Sequence, residues 1–239
     1  MEKILDNKGK FQVLIPRNLC ELKHESNIHV NDEGFSPVEI SWDKGVVSSI
    51  KSIKGQKNLI KKVLFPRFVE SHAHFDKSFS WINYPNLQST YENALSVNLE
   101  EHVTRTANTV LKRAEKSLNL AIKNGYRAIR SHVDTYNLQD QEIWLKLFQL
   151  QKKYSELVTL QFVSLAQIDF WGTKEGDLFA KNFKLNNGIL GGVLVPPFDK
   201  PRIIKSLSDM LLLAKKYKLE VDLHIDESSV EPGSGMKIL

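Results

Sequence analysis

From Val63 onward, short apolar stretches alternate with longer stretches whose apolar residues recur at helical spacing. That alternation restricts the fold more than any other feature of the chain. The strand-like stretches run from Val63 to His74, Arg127 to Asp134, Val158 to Gln167, Ile189 to Val195 and Leu219 to Ile225. Between the first two, Val103, Ala107, Val110, Leu111, Ala114, Leu118 and Ala121 make one long helical stripe, and Asn124-Gly125 supplies its stop signal. Ile143, Leu147, Leu150 and Tyr154 mark the next helix, and a shorter one lies near Gly176 to Leu185. Pro201 opens the last, which carries Ile203, Leu207, Met210, Leu211 and Ala214. Strands joined by helical crossovers pair in parallel, with both faces of the sheet covered. A doubly wound sheet and a (β/α)8 barrel both satisfy this pattern. The polar residues separate them: His74, Asp134, Gln167 and His224 fall at carboxyl ends of strands, where barrel active sites are built. A doubly wound nucleotide binder also needs a glycine-rich first turn, and Ser71-His72-Ala73-His74 is not one. The expected fold class is α/β, a TIM (β/α)8 barrel cut off after its fifth strand, with a small amino-terminal β unit.

That β unit is expected over residues 1–62, and the incomplete barrel over 63–239. Val38 to Trp42, Asp43-Lys44-Gly45 and Val46 to Ile50 read as a hairpin with a glycine-containing turn. An apolar fraction of 41% argues against disorder. The single cysteine, Cys20, rules out an intrachain disulfide and suits a reducing compartment. No apolar run approaches the roughly 18 residues that span a bilayer. The first residues, Met1 to Asp6, carry acids early and lack the apolar core of a signal peptide. A cytoplasmic location and no membrane partner are the expectations. The net charge of +5 permits nucleic-acid binding. The lysines are scattered over polar helix faces, however, and no basic stretch is interleaved with aromatics, so no nucleic-acid partner is expected. Assembly of identical copies stays open.

The chemistry concentrates in two places. His72 and His74 are separated by one residue, so on a strand both rings point to the same side. Two neutral imidazoles converging there are half of a first-row transition-metal site. Far downstream, the apolar stretch Val221 to Ile225 contains His224, and Glu227 follows three residues later, placed to move a proton beside a metal. The bland alternative for His72 and His74 is a pair of hydrogen-bonded core histidines. His132 reads as a hydrogen-bonded interior residue, and Asp134 as a loop anchor or a group supporting a metal ligand rather than a ligand itself. His24, His29 and His102 read as ordinary surface histidines. Asp76-Lys77 fits either substrate contact or an ion pair at a strand end, and Trp81 and Trp171 either a pocket wall or loop packing.

At these residues the chain resembles the amidohydrolase superfamily, in its cytosine-deaminase-like branch. The likeness rests on Phe65-Pro66-Arg67-Phe68-Val69-Glu70-Ser71-His72-Ala73-His74-Phe75-Asp76-Lys77, on Ile129 to Asp134, on Gly191-Gly192-Val193 and on Asp222 to Glu227. The resemblance implies that His72, His74 and His224 bind one divalent transition metal, zinc or iron. It implies that Glu227 is the catalytic proton shuttle, and that Gln167 binds the amide edge of the substrate. Dinuclear members carry a lysine at the end of the fourth barrel strand; here that strand ends Val193-Leu194-Val195-Pro196, so one metal is implied. It also implies that the histidine of a sixth strand, the aspartate of an eighth and the segment completing a composite β-sandwich with the amino-terminal unit lie beyond Leu239.

The function expected is metal-dependent hydrolysis of a non-peptide C–N bond, the deamination of cytosine or a related cyclic amidine. The small-molecule partner is then a nitrogen heterocycle. Two alternatives stand beside it: a non-catalytic truncated remnant of the fold, and an amidohydrolase acting on a triazine or cyclic amide.

Overall fold

The computed structural model describes residues 8–19, 29–53, 60–135, 141–228 and 230–239; Cys20 and His24 lie outside them. The chain divides into two compact units, Met1–Arg67 and Phe68–Leu239. In the first, β1 (Lys8–Pro16), β2 (Phe35–Asp43) and β3 (Val46–Ser52) form an antiparallel sheet in that order. Lys44 and Gly45 join β2 to β3 with both φ angles positive, 50° and 75°. This is the backbone that matches the twist of a two-residue hairpin. Val13, Ile15, Val38 and Ile40 make its small core. Val63 bridges Leu14 in parallel, so residues 63–67, which the periodicity groups with the second unit, pack with the first.

The second unit alternates strand and helix. β4 (Phe68–Ala73), β5 (Tyr126–Asp134), β6 (Thr159–Gln167), β7 (Ile189–Leu194) and β8 (Val221–Ile225) pair in parallel in sequence order. α3 (Gln141–Lys153), α4 (Lys174–Lys184) and α5 (Lys200–Tyr217) fill the later crossovers. Period-two alternation sorts each strand cleanly. Ile129, Val133, Leu160, Phe162, Leu190 and Leu194 pack with Leu118, Leu147, Phe183 and Met210 of the helices in one core. The intervening residues, Arg130, His132, Asp134, Gln161, Gln167, Asp222 and His224, face the other way. The sheet is strongly curled. Five strands laid flat would hold β4 and β8 roughly 19 Å apart. Yet the rings of His72 on β4 and His224 on β8 have centroids 4.7 Å apart. Gly191 permits close strand approach: a Cβ there would sit 2.7 Å from the carbonyl oxygen of Ser164 on β6.

The first crossover differs from expectation. The helical stripe starting at Val103 is two helices, α1 (Tyr91–Thr104) and α2 (Ala107–Lys123). Val103 lies in the last turn of α1 and is exposed, while Thr106 caps α2 by accepting from the Thr109 N–H. Between them Arg105 is extended (φ −68°, ψ 130°), which turns its guanidinium inward. There it meets three carboxylates: Glu101 Oε2 at 2.6 Å, Asp76 Oδ2 at 3.2 Å and Asp134 Oδ2 at 3.3 Å. Its side chain is 2% exposed and that of Asp76 is 0% exposed. Arg113 reaches Glu101 Oε1 at 2.5 Å, and Lys77 reaches Asp134 Oδ1 at 2.7 Å. Three cations thus balance three carboxylates. Burial raises the pKa of Asp76, and the adjacent Asp134 raises it further. Burial alone would also raise Asp134, but Lys77 holds it below the usual carboxylate range.

Removing one member of such a network strands a buried charge, which typically costs about 3–5 kcal/mol. Arg105→Lys is expected to lose much of that, since an ammonium lacks the planar fork that serves three carboxylates; the urea midpoint measures it. Burial alone would raise Glu101, but hydrogen bonds from Arg105 and Arg113 set it below its ordinary 4.5. A depressed carboxylate contributes stability that is present above its unfolded pKa and is lost as pH falls through it. In Glu101→Gln, the fall of the urea midpoint below about pH 4.5 is therefore expected to be shallower than in the unsubstituted chain.

Candidate metal centre and cavity

The curled sheet gathers four imidazoles on its concave side. His72 and His74 come from the end of β4, His132 from β5 and His224 from β8. One ring nitrogen from each of His72, His74 and His224 lies within 4.8 Å of the other two. The Nε2 atoms of His72 and His74 are 3.2 Å apart. Ligand atoms of a tetrahedral site with bonds of about 2.0–2.1 Å stand roughly 3.3 Å apart. The same separation suits a hydrogen bond between two rings, so this pair alone does not decide. His224 adds the telling observation: both its ring nitrogens are buried without a hydrogen-bond partner, as is Nδ1 of His74. Buried polar atoms are rarely left so in a folded protein.

Electrostatics favours the same use. Burial, then the Lys77 ammonium, lowers the pKa of His74 to about 3. Burial and the nearby His72 lower that of His224. Both are therefore neutral at physiological pH, the form in which imidazole binds a metal. The donor set, its spacing and the neutral state of His74 and His224 fit one divalent transition metal.

The backbone beyond β4 explains why His74 is aimed as it is. The Phe75 N–H donates to Ser131 Oγ (3.0 Å), Ser78 Oγ donates to the His74 carbonyl (2.9 Å), and Asp76 Oδ2 accepts the Asp134 N–H (3.1 Å). These bonds fasten the β4 end to the β5 end. Asp76 and Lys77, open in the sequence to two readings, are thus joined in ion pairs, and Asp134 anchors them. At the end of β8, Asp226 takes a left-handed conformation (φ 58°) and its carboxylate accepts from the Gly235 and Met236 N–H groups. The turn brings Glu227 to a cavity of about 710 Å³, whose walls include His74, Lys77, Asp134, Gln167, His224 and Glu227.

Of the residues singled out from sequence, His74, His224, Gln167 and Glu227 share this cavity, and His72 stands beside it in the histidine cluster. Gln167, exposed at the end of β6, the middle strand of the sheet, lines the same space. Trp81 and Trp171 do not line it: Trp81 is exposed, and Trp171 is buried with its Nε1 donating to the Gly191 carbonyl (2.9 Å). His132 is interior, as expected, with Asp222 as its polar neighbour. It is fully buried, but neither ring nitrogen makes a well-aligned hydrogen bond; Nε2 lies 3.3 Å from Asp222 Oδ1. Burial, then His72, lowers its pKa to about 4. Sequence reasoning missed Asn98 and Arg105. Asn98 lines the cavity and donates to Asp134 Oδ2 at 3.2 Å. The available signal was Thr106, a capping residue inside an otherwise continuous helical stripe.

No family model matches the chain. In sequence it is 28% identical over 171 residues to a pterin deaminase of Rhizobium rhizogenes, covering 70% of this chain and 38% of that protein. It is 24% identical over 182 residues to the N-isopropylammelide isopropyl amidohydrolase of a Pseudomonas species, covering 74% and 45%. In structure it is similar to the 5-methylcytosine deaminase of Klebsiella pneumoniae crystallised with phosphonocytosine. The TM-score is 0.70 at 17% identity, over 96% of this chain and 55% of that one. The chain thus spans less than half the length of these two sequence relatives. No helix among the described residues is long and apolar enough to cross a membrane. The likeness read from the histidine motifs holds: the chain resembles the amidohydrolase superfamily, in its cytosine-deaminase-like branch, over about 40–55% of the length of such an enzyme.

Proposed function

We propose that this chain supplies the metal-binding and proton-transfer groups of a hydrolase of non-peptide C–N bonds. The reaction is hydrolytic deamination of cytosine or a related cyclic amidine. The observation that carries the reading is the convergence of His72, His74 and His224 beside the cavity that holds Glu227. The three histidines would hold one zinc or iron ion. When bound, such an ion acts as a Lewis acid and brings the pKa of a coordinated water down to about 7.

The chain's own residues do the rest. Glu227, on the cavity wall three residues past His224, takes a proton from the attacking water. It gives that proton to the ring nitrogen, then takes the second proton from the hydroxyl now on the ring carbon and gives it to the amino group, which leaves as ammonia. The water oxygen becomes the ring carbonyl as the C–N bond breaks. Gln167 orients the ring, its amide accepting from a ring N–H and donating to the adjacent carbonyl. Lys77 is tied to Asp134, and so presents a fixed cationic wall next to His74. A triazine or cyclic amide is the second substrate class. It is supported by the 24% identity to the N-isopropylammelide isopropyl amidohydrolase.

Metal analysis of the purified protein is expected to give one zinc or iron per chain, and the His72→Ala/His74→Ala double variant to give none. Unchanged stoichiometry in that variant sinks the ligand assignment. Glu227→Gln, in the protein at its natural full length, is expected to keep its metal and to lose at least about 10²-fold in kcat for ammonia release, the usual size of an acid–base contribution. Near-normal turnover by a metal-replete variant would show that another group moves the proton.

A further inference from the structure

We propose that His132 is a positioning residue: clamped by the Arg130–Asp222 ion pair, it fixes the ring plane of His72 and so sets how tightly the histidine cluster holds a metal. The inference rests on the three-histidine reading above.

His72 needs such a support. It is exposed and sits on β4, an edge strand of the five-stranded sheet. The pairing of β4 with β5 shifts register between Glu70 and Ala73, which brackets His72. Its backbone N–H is taken locally, by Glu70 Oε1 at 3.0 Å. Rotation about the bond that joins an imidazole to its Cβ is broad and weakly restricted. The 3.2 Å approach of its Nε2 to that of His74 holds the ring at one edge, and a flat surface packed against its face would fix its plane.

His132 is that surface. Its ring lies nearly parallel to that of His72, with centroids 4.2 Å apart and planes inclined at 29°. Every other pair among the four rings is more oblique or more distant, with centroid separations from 4.7 to 5.6 Å. His132 is itself well placed to be rigid. It lies on β5, paired on both sides, and is 0% exposed. Its Nε2 approaches Asp222 Oδ1 at 3.3 Å. The other oxygen of Asp222 accepts from Arg130 Nη1 at 2.7 Å, and Arg130 Nε donates to Gln161 Oε1 at 3.0 Å. This chain of contacts ties β5, β6 and β8 together beneath the cluster. Carboxylates that bond a ligand histidine directly are the common way of fixing ligand orientation. Here the carboxylate acts one ring removed, through stacking.

Cobalt(II) is a suitable probe, added to the full chain and to three variants: His132→Ala, His132→Phe and Leu147→Ala. Leu147 is buried in the core on the helix side of the sheet, so its truncation reports general loosening. Two readouts are taken: the cobalt dissociation constant with its visible absorption envelope, and the His72 ring resonance of the metal-free chain, identified with His72→Gln. His132→Ala is expected to weaken cobalt binding by about 10–100-fold and to move the His72 resonance. His132→Phe restores the flat face and is expected to recover most of both. Leu147→Ala is expected to change neither. Should His132→Ala not fold, Asp222→Asn removes the clamp while keeping the ring, and is expected to show the same changes at smaller size. Wild-type cobalt affinity in His132→Ala, or in Asp222→Asn where that variant stands in, overturns the proposal. An equal loss in Leu147→Ala does so too. If the unsubstituted chain binds no cobalt, the three-histidine reading fails and this inference with it. If it binds one and His132→Ala is indifferent, only this inference fails.

Discussion

The Arg105 guanidinium, buried against Asp76, Glu101 and Asp134, is the interaction on which the geometry of the strand ends depends. A lone buried charge is far too costly to leave unpaired, so each partner has to be where the others require it. The helix must break after Thr104 to let Arg105 turn inward. The β4 end must bend so that Asp76 reaches both Arg105 and the Asp134 N–H. Asp76 is two residues past His74, so fixing one fixes the other. A device that looks purely structural therefore aims a candidate metal ligand.

The two faces of the sheet divide the labour. The convex face is close-packed hydrocarbon, with aromatic rings of α3, α4 and β6 meeting edge to face, such as Trp144 on Phe183 at 4.5 Å. The concave face carries a polar column. Arg130, Gln161 and Asp222 are linked to one another and partly exposed; His132, fully buried, lies between Asp222 and His72; Asp134, Gln167 and Glu227 line the cavity. The alternation that puts Ile129 and Val133 in the core puts Arg130, His132 and Asp134 in the site.

The elements were legible from sequence where a local signal existed. The strand–helix alternation, the hairpin at Lys44-Gly45 and the glycine after α2 all depend on residues close in the chain. His72 and His74 were legible for the same reason, being one residue apart on one strand. The break at Arg105 was not, because an arginine in a helical stripe looks solvated until its carboxylate partners, Asp76 and Asp134, are brought together in space. His132 was legible as interior and not as a stacked neighbour of His72, since its companions come from β4 and β8. Asn98 faced the same obstacle: its link to Asp134 spans thirty-six residues.

The curl of the sheet has a kinetic consequence. His72 and His224 are 152 residues apart in the sequence, yet they meet because β4 and β8 are brought round towards each other. Parallel pairing already makes every strand contact non-local, and chains rich in such contacts fold slowly. The histidine cluster is the most distant of these closures, joining the strand that opens the unit to the one paired last in order. Neither end of the sheet can make the cluster alone. Its imidazoles therefore meet only once both β4 and β8 are in place, and until then the cluster lacks His224.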